Sequence, residues 1–392
     1  MTTRLLMTAD AVGGVWQYAT ELARGLLPHG IETTIALLGP TDNLPLPFRG
    51  EGRSGAAARE RGSHGDVATR AQPRSPTLSP EGEREIEVIP TNLPLDWLSS
   101  GPDPVLAAGE AIAQFARDLR ADIVHLNSPT LAARARFDQP VVTVAHGCVA
   151  TWWRAAHGCD PDPGYRWQAD LMRAGLLAAD ATVAPSASFA ADLQRTYALP
   201  FKPVAVHNGR SPVAAAGQGT LARHAFTAGR LWDRVKNTIV LDRAAARLSA
   251  PIRAAGPLAG PHGEAIAPRH LQLLGDLSAA AVAAELATQP VFVSNASFEP
   301  FGLAVLEAAQ AGCALILSDI PTFRELWEGA ALFTPVGDDI ALAEAVNALL
   351  ANPAHRAALG GVAQARAGRY RPERMAAHMD SLYAEVLSKA AA

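Results

Sequence analysis

Short runs of β-branched and aliphatic residues alternate with helical periodicities along the whole of this chain, and that alternation admits few folds. A strand that feeds a helix and returns to a parallel strand is the unit it specifies. Residues 4–8 open the first unit, and after Gly13-Gly14 comes a helix in which Val15, Tyr18, Ala19, Leu22 and Leu26 share one face. Pro28 and Gly30 end that helix. Residues 33–38, 123–126, 141–145, 181–184 and 204–206 read as further strands, each followed by a turn or a cap residue such as Asn127, Ser186 or Asn208. A second series runs through residues 226–228, 252–255, 271–274, 291–293, 315–317 and 332–333. Helices are predicted between them at about residues 237–248, 278–287, 303–311 and 340–350.

The expected fold class is therefore α/β, with two Rossmann-like doubly wound parallel sheets in tandem and the carboxyl ends of their strands facing a crevice. An N-terminal domain over residues 1–205 and a C-terminal domain over residues 206–370 follow, joined near the Gly-, Pro- and Ala-rich residues 209–219. A closing helix over residues 371–392 carries Met375, Met379, Leu382, Val386 and Leu387 and is expected to pack back, the N-terminal domain being one choice. Residues 49–84 shift to Gly, Arg, Glu, Ser and Pro, with Val67 and Leu78 their only large aliphatics, too little apolar surface to offset the cost of ordering them. They read as a disordered surface insertion.

Composition narrows the partners. Lys and Arg number 34 against 38 Asp and Glu, so no basic field favours nucleic acid. No basic amphipathic helix announces a membrane surface, though peripheral contact stays open. Three cysteines, no apolar run near a membrane span and a first strand that leaves no room for a leader point to a cytoplasmic enzyme acting on small molecules.

Three segments carry chemistry. Gly13-Gly14, between a strand and a helix, lets backbone amides meet an anion without an intervening side chain, but no dinucleotide or Walker spacing surrounds it. Arg230 and Lys236 follow the first strand of the second domain, where a forked and a point cation suit a diphosphate. In Ser294-Asn-Ala-Ser-Phe-Glu299-Pro-Phe301-Gly302-Leu303-Ala-Val-Leu-Glu307, a loop presents Glu299, and a helix starting at Gly302-Leu303 offers its amides. Glu299 and Glu307 can accept from vicinal hydroxyls of a hexose and a ribose, although a helix macrodipole alone also favours an acid near Glu307.

Two Glu with seven residues between them, set in Glu-Pro-Phe-Gly, closely resemble the retaining glycosyltransferases of family 4, which have the GT-B fold. Gly229-Arg230-Leu with Lys236, Gly13-Gly14, Ala145-His146-Gly147, Val183-Ala-Pro-Ser186, Val206-His-Asn208-Gly209, Leu274-Gly275 and Pro321-Thr-Phe-Arg-Glu325 extend the resemblance over nearly the whole chain. It implies that Glu299 holds donor-sugar hydroxyls, that the amides of Phe301, Gly302 and Leu303 line sugar and phosphate, and that Glu307 binds the ribose diol. Arg230 and Lys236 would neutralise the diphosphate leaving group, joined by the Gly14 amide. His146 would face the donor sugar, and the backbone near Leu274-Gly275 would meet the base.

Breaking a glycosyl–phosphate bond creates an oxocarbenium-like centre and a diphosphate, so preorganised positive charge can lower the barrier without a metal. Retention on the donor's front face is what the resemblance implies, with Glu299 a positioning group. UDP- and GDP-sugars both fit, as do glycan, lipid and small-molecule acceptors. A GT-B epimerase or phosphorylase, or a non-catalytic nucleotide-sugar-binding protein, is the alternative. Arg210-Ser211 stand where the family usually has an aliphatic residue and Asp, and Cys313-Ala314 where a Pro is common; both departures are expected to lie outside the donor carboxylates. His146-Gly-Cys148 and His157-Gly-Cys159 repeat a His-x-Cys pattern without a usual ligand spacing, so no metal is expected. Trp152-Trp153 would either stack on an acceptor or pack a loop.

Overall fold

The computed structural model describes residues 2–10, 14–39, 86–213 and 221–392. Gly13, the insertion expected at residues 49–84 and the later part of the linker expected at 209–219 lie outside them.

In the first half the strands β1 (Thr3–Asp10), β2 (Ile31–Leu38), β3 (Glu87–Pro90), β4 (Ile123–Leu126), β5 (Val141–Val144), β6 (Ala181–Ala184) and β7 (Val204–Ala205) form one sheet in the order β3-β2-β1-β4-β5-β6-β7. Every ladder in it is parallel. Its crossover helices are α1 (Gly14–Leu26), α2 (Pro102–Asp118), α3 (Val149–His157), α4 (Arg166–Ala178) and α5 (Ala187–Tyr197). The second sheet, also parallel throughout, is ordered β10-β9-β8-β11-β12-β13. It comprises β8 (Ala225–Ala228), β9 (Ile252–Ala255), β10 (Gln272–Gly275), β11 (Val291–Ser294), β12 (Leu315–Ser318) and β13 (Leu332–Thr334). Around it lie α6 (Thr238–Ala245), α7 (Ala279–Ala287), α8 (Leu303–Gln310), α9 (Pro321–Trp327), α10 (Asp339–Ala351) and α11 (Pro353–Ala367).

Both orders reverse direction once, between β1 and β4 in the first sheet and between β8 and β11 in the second. The loops that leave those strands diverge to opposite faces and open a crevice, which is where open parallel sheets bind ligands. The segments after β8 and β11 are those that carry Arg230, Lys236 and Glu299.

Apolar clusters cover both faces of each sheet, as the near-continuous hydrophobic strands require. Helix α12 (Pro372–Ala390) belongs to the first of them: Met375, Ala376, Met379, Leu382, Tyr383 and Val386 pack with α1 and the first sheet. The chain thus leaves its second half and returns to complete the core of its first.

Strand β3 was not expected from the sequence. It is four residues long, ends in Pro90 and sits at the sheet edge, where few apolar residues are needed and proline is tolerated.

Candidate active site between the two sheets

Two loops of the second sheet are stitched together before any functional side chain is placed. After β8, Asp233 accepts from the Val235 amide at 3.3 Å and caps a single 3-10 turn at Arg234–Lys236. Asn237 then turns through φ 53°, and its Nδ2 donates to the Asn295 carbonyl at 3.0 Å, while the Ser297 amide donates to Val235 O at 2.8 Å. This brings the loop after β11 beside Lys236, whose Nζ lies 2.5 Å from Glu299 Oε2. Arg230 donates from Nη2 to Asp233 Oδ2 at 2.8 Å, lies over the Trp232 ring and remains 58% exposed.

Gly302 ends the second loop with φ 94°, a left-handed turn that a side chain would resist; an added Cβ would also press on Glu299 Cγ at 3.3 Å. The first amides of α8, which have no intrahelical acceptor, follow this turn and so start close to Glu299. Phe301 is buried and anchors the turn, whereas Leu303 faces the other half of the molecule. There a Cβ on Gly14, the first residue of α1, would meet Leu303 Cδ1 at 3.2 Å. The starts of α1 and α8 therefore converge. Leu274 and Gly275 lie at the end of β10, where Gly275 O accepts from the Gly256 amide at 2.9 Å.

His146 follows β5 in the first sheet, with its ring edge-on to Tyr18 at 4.4 Å. Its Nε2 lies 2.7 Å from Asn127 Oδ1, which also meets His125 Nε2 at 3.1 Å. Asn127 Nδ2 donates to the Thr8 carbonyl at 2.6 Å, so Oδ1 is the acceptor for both imidazoles and each must carry its hydrogen on Nε2. His125 Nδ1 is then left to accept from the Tyr383 hydroxyl of α12 at 2.6 Å. Burial, reinforced by His125 next to it, pushes the His146 pKa down to about 3. Burial likewise lowers His125 to about 4, with the Asn127 bond opposing it. Both rings are neutral near pH 7.

Glu307 is the fifth residue of α8, beyond the first turn, so the macrodipole does not account for it. Its Oε1 accepts from Arg210 Nε at 2.9 Å. The expectation that Arg210-Ser211 lies outside the donor carboxylates is thereby corrected. In the sequence Arg210 is legible only as a departure from a motif, and Glu21, which it also contacts, lies off the apolar face of its helix and carries no signal of its own.

The tryptophans divide. Trp152 donates its indole N–H to Asp233 Oδ1 at 2.9 Å and so ties α3 of the first half to the cationic loop of the second. Trp153 stacks on His157 at 4.5 Å and lies 5.0 Å from Tyr165, in an aromatic group at the outer end of α3. Of the two His-x-Cys pairs, His157 is in that stack, Cys148 Sγ contacts Thr151 Oγ1 at 3.0 Å, and Cys159 is exposed. Among the described residues no group of three or more His, Cys, Asp or Glu side chains is placed to hold a metal ion.

Further bridges join the halves. Glu325 on α9 accepts at Oε1 from the Ala187 amide (2.8 Å) and His207 Nε2 (3.0 Å). Its Oε2 accepts from the Ser188 amide (2.7 Å) and hydroxyl (2.6 Å). Ser186 Oγ donates to Pro300 O at 2.7 Å.

Two doubly wound parallel sheets that face each other across such a cleft are the GT-B fold. Residues 12–212, just over half of the chain, match the family described as Glycosyltransferase Family 4, and residues 263–366 match Glycosyl transferases group 1. The chain belongs to the family 4 glycosyltransferases. A stretch of 86 residues is 35% identical to the phosphatidyl-myo-inositol mannosyltransferase of Mycobacterium leprae (strain TN), spanning 21% of this chain and 23% of that protein. The fold is similar to that of sucrose-phosphate synthase from Thermosynechococcus elongatus, with a TM-score of 0.74 at 18% identity over 99% of this chain and 100% of that one. It is similar also to Anabaena HepE, solved with UDP and glucose, with a TM-score of 0.68 at 14% identity over 98% and 100% of the two chains. Among the described residues no helix is long and apolar enough to cross a membrane.

Proposed function

We propose that this protein is a retaining, metal-independent hexosyltransferase that moves a sugar from a UDP- or GDP-sugar to a hydroxyl of a glycan, lipid or small-molecule acceptor. The observation that carries the reading is the junction of Lys236, Glu299 and the first amides of α8 at the switch point of the second sheet. A diphosphate there would meet Arg230, Lys236 and the amides at the starts of α8 and α1, which stabilise charge as it develops on the leaving group. That is the task for which a divalent ion would otherwise serve. Glu299 would hold hexose hydroxyls, and its bond to Lys236 would exchange for bonds to donor. Glu307 would receive the ribose, and the backbone at Leu274 and Gly275 the base. Neutral His146 would line the sugar from the first half, with acceptor binding on that side of the cleft. HepE, a structural neighbour, is described with UDP-glucose, which supports the donor class.

The test is thermal denaturation with UDP, GDP and ADP and their glucose and mannose conjugates, followed by an acceptor screen with the donor that binds. Ligand at 100 times its Kd should add about 2.7 kcal/mol. Glu299→Ala is expected to lower turnover by about 100-fold or more while nucleoside-diphosphate affinity stays within a few-fold. Parental activity in that variant would remove Glu299 from the site. Activity that EDTA abolishes and a divalent ion restores, or a product of inverted anomeric configuration, would overturn those parts of the reading.

A further inference from the structure

Arg210 sits where the two halves and the nucleotide side of the cleft meet. Its backbone is held on both sides: the amide donates to Tyr370 O at 3.2 Å, and the carbonyl accepts from Gln310 Nε2 at 2.6 Å. Its guanidinium forks between two carboxylates that burial would otherwise set against each other. Nε reaches Glu307 Oε1 at 2.9 Å, and Nη1 reaches Glu21 Oε1 at 3.2 Å. The three side chains are 13%, 13% and 6% exposed for Arg210, Glu307 and Glu21. Glu21 is further saturated by the Ser211 amide at 3.0 Å and hydroxyl at 2.8 Å. Glu307 Oε2, by contrast, has no partner among the described residues.

One carboxylate is thus bound at both oxygens and the other at one, and a single arginine links them. We propose that Arg210 is a positioning residue of the nucleotide site, which orients Glu307 so that Oε2 accepts a ribose hydroxyl and, through Glu21, makes helix α1 part of the same unit. The proposal rests on the assignment of Glu307 to the ribose.

Two lines of reasoning support it. Burial pushes the Glu307 pKa up and Arg210 pulls it back, and a charged acceptor makes a hydroxyl bond roughly twice as strong as a neutral one. The helices also touch at two points. Gly14 meets Leu303 where the diphosphate would lie, and Glu21, about 10 Å along α1, meets Glu307 through Arg210. A lysine cannot fork in this way, and an aliphatic residue would leave two buried acids unpaired.

The test compares Kd values for UDP and its 2′,3′-dideoxy analogue, with the GDP pair in their place if the parent protein binds GDP instead. In the parent the ratio of analogue to natural nucleotide should be about 10 or more. Glu307→Gln should bring it close to 1, Arg210→Gln likewise, and Arg210→Lys to an intermediate value. The double variant should match Glu307→Gln alone. A loss of fold would change both affinities together, and the lysine variant, which keeps the buried cation, guards against that. A parental ratio in Glu307→Gln, or a parent that binds neither nucleotide, overturns the ribose assignment and the proposal with it. A ratio that collapses in Glu307→Gln but stays parental in both Arg210 variants overturns the proposal alone.

Discussion

Asn127 shows how one amide can set the chemistry of its neighbours. Because its Nδ2 is committed to the Thr8 carbonyl, its Oδ1 imposes the same tautomer on His125 and His146. Both folded pKa values lie below the ordinary 6.5, so these groups contribute stability fully above about pH 6.5 and lose it as pH falls toward about 4 and then about 3. The melting temperature of the parent should therefore decline between pH 6.5 and 4, and His125→Gln should flatten part of that decline; an equal slope in both would contradict the buried neutral imidazole. His146 is legible in the sequence through the Ala145-His146-Gly147 resemblance, and Asn127 reads only as a residue ending a strand. Their bond joins residues 19 apart that follow different strands, and no local pattern records it.

At the scale of elements, the start of α5 depends on residues from both halves. Ser186 caps it locally, accepting from the Phe189 amide at 3.2 Å, while Glu325 supplies the charge that the amides of Ala187 and Ser188 favour. Burial alone would raise the Glu325 pKa, but bonds from His207, Ser188 and the two amides outweigh it and hold the group at about 2. Its stabilisation is present above pH 4.5 and is lost as pH falls toward 2, a window below that of the histidines. Glu325→Ala should cost about 2 kcal/mol and lower Tm by several degrees near pH 7. It should cost less at pH 3, which lies between the ordinary and the folded pKa, and an equal loss at both pH values would show that charge is not the cause. Every strand but β3 is legible from period and punctuation, as are α1, α6, α7, α8, α10 and α12, with ends shifted by a few residues, whereas α2 to α5, α9 and α11 are not among the helices the sequence predicts; α6 stops at Ala245 because Arg247 and Leu248 continue as i→i−3 turns. Strand β3 is not legible, because an edge strand of four residues has too little pattern to read.

For the whole molecule the decisive feature is α12, which crosses back to the first sheet. Five large side chains, Met375, Met379, Leu382, Tyr383 and Val386, enter that core, each worth about 1.5–3 kcal/mol of burial, a sum comparable to the 5–15 kcal/mol by which a domain is stable. Truncation after Arg371 should abolish folding of the N-terminal half, seen as loss of its cooperative melt and rapid proteolysis, and a retained parental melt would refute this. The truncation also removes Tyr383 and with it the outer anchor of His125.

By itself the sequence determined the α/β class, the division into two sheets and the motif from Ser294 to Glu307, since these follow from local periodicity and from residues close in the chain. The tertiary structure alone decided which half α12 completes, which tautomer His146 adopts, and that Arg210 joins Glu21 to Glu307 across 189 and 97 residues of chain. An apolar helix face specifies that it must be buried and not against what, and a charged side chain specifies its valence and not its partner; both are settled only when distant segments exclude water from the same space.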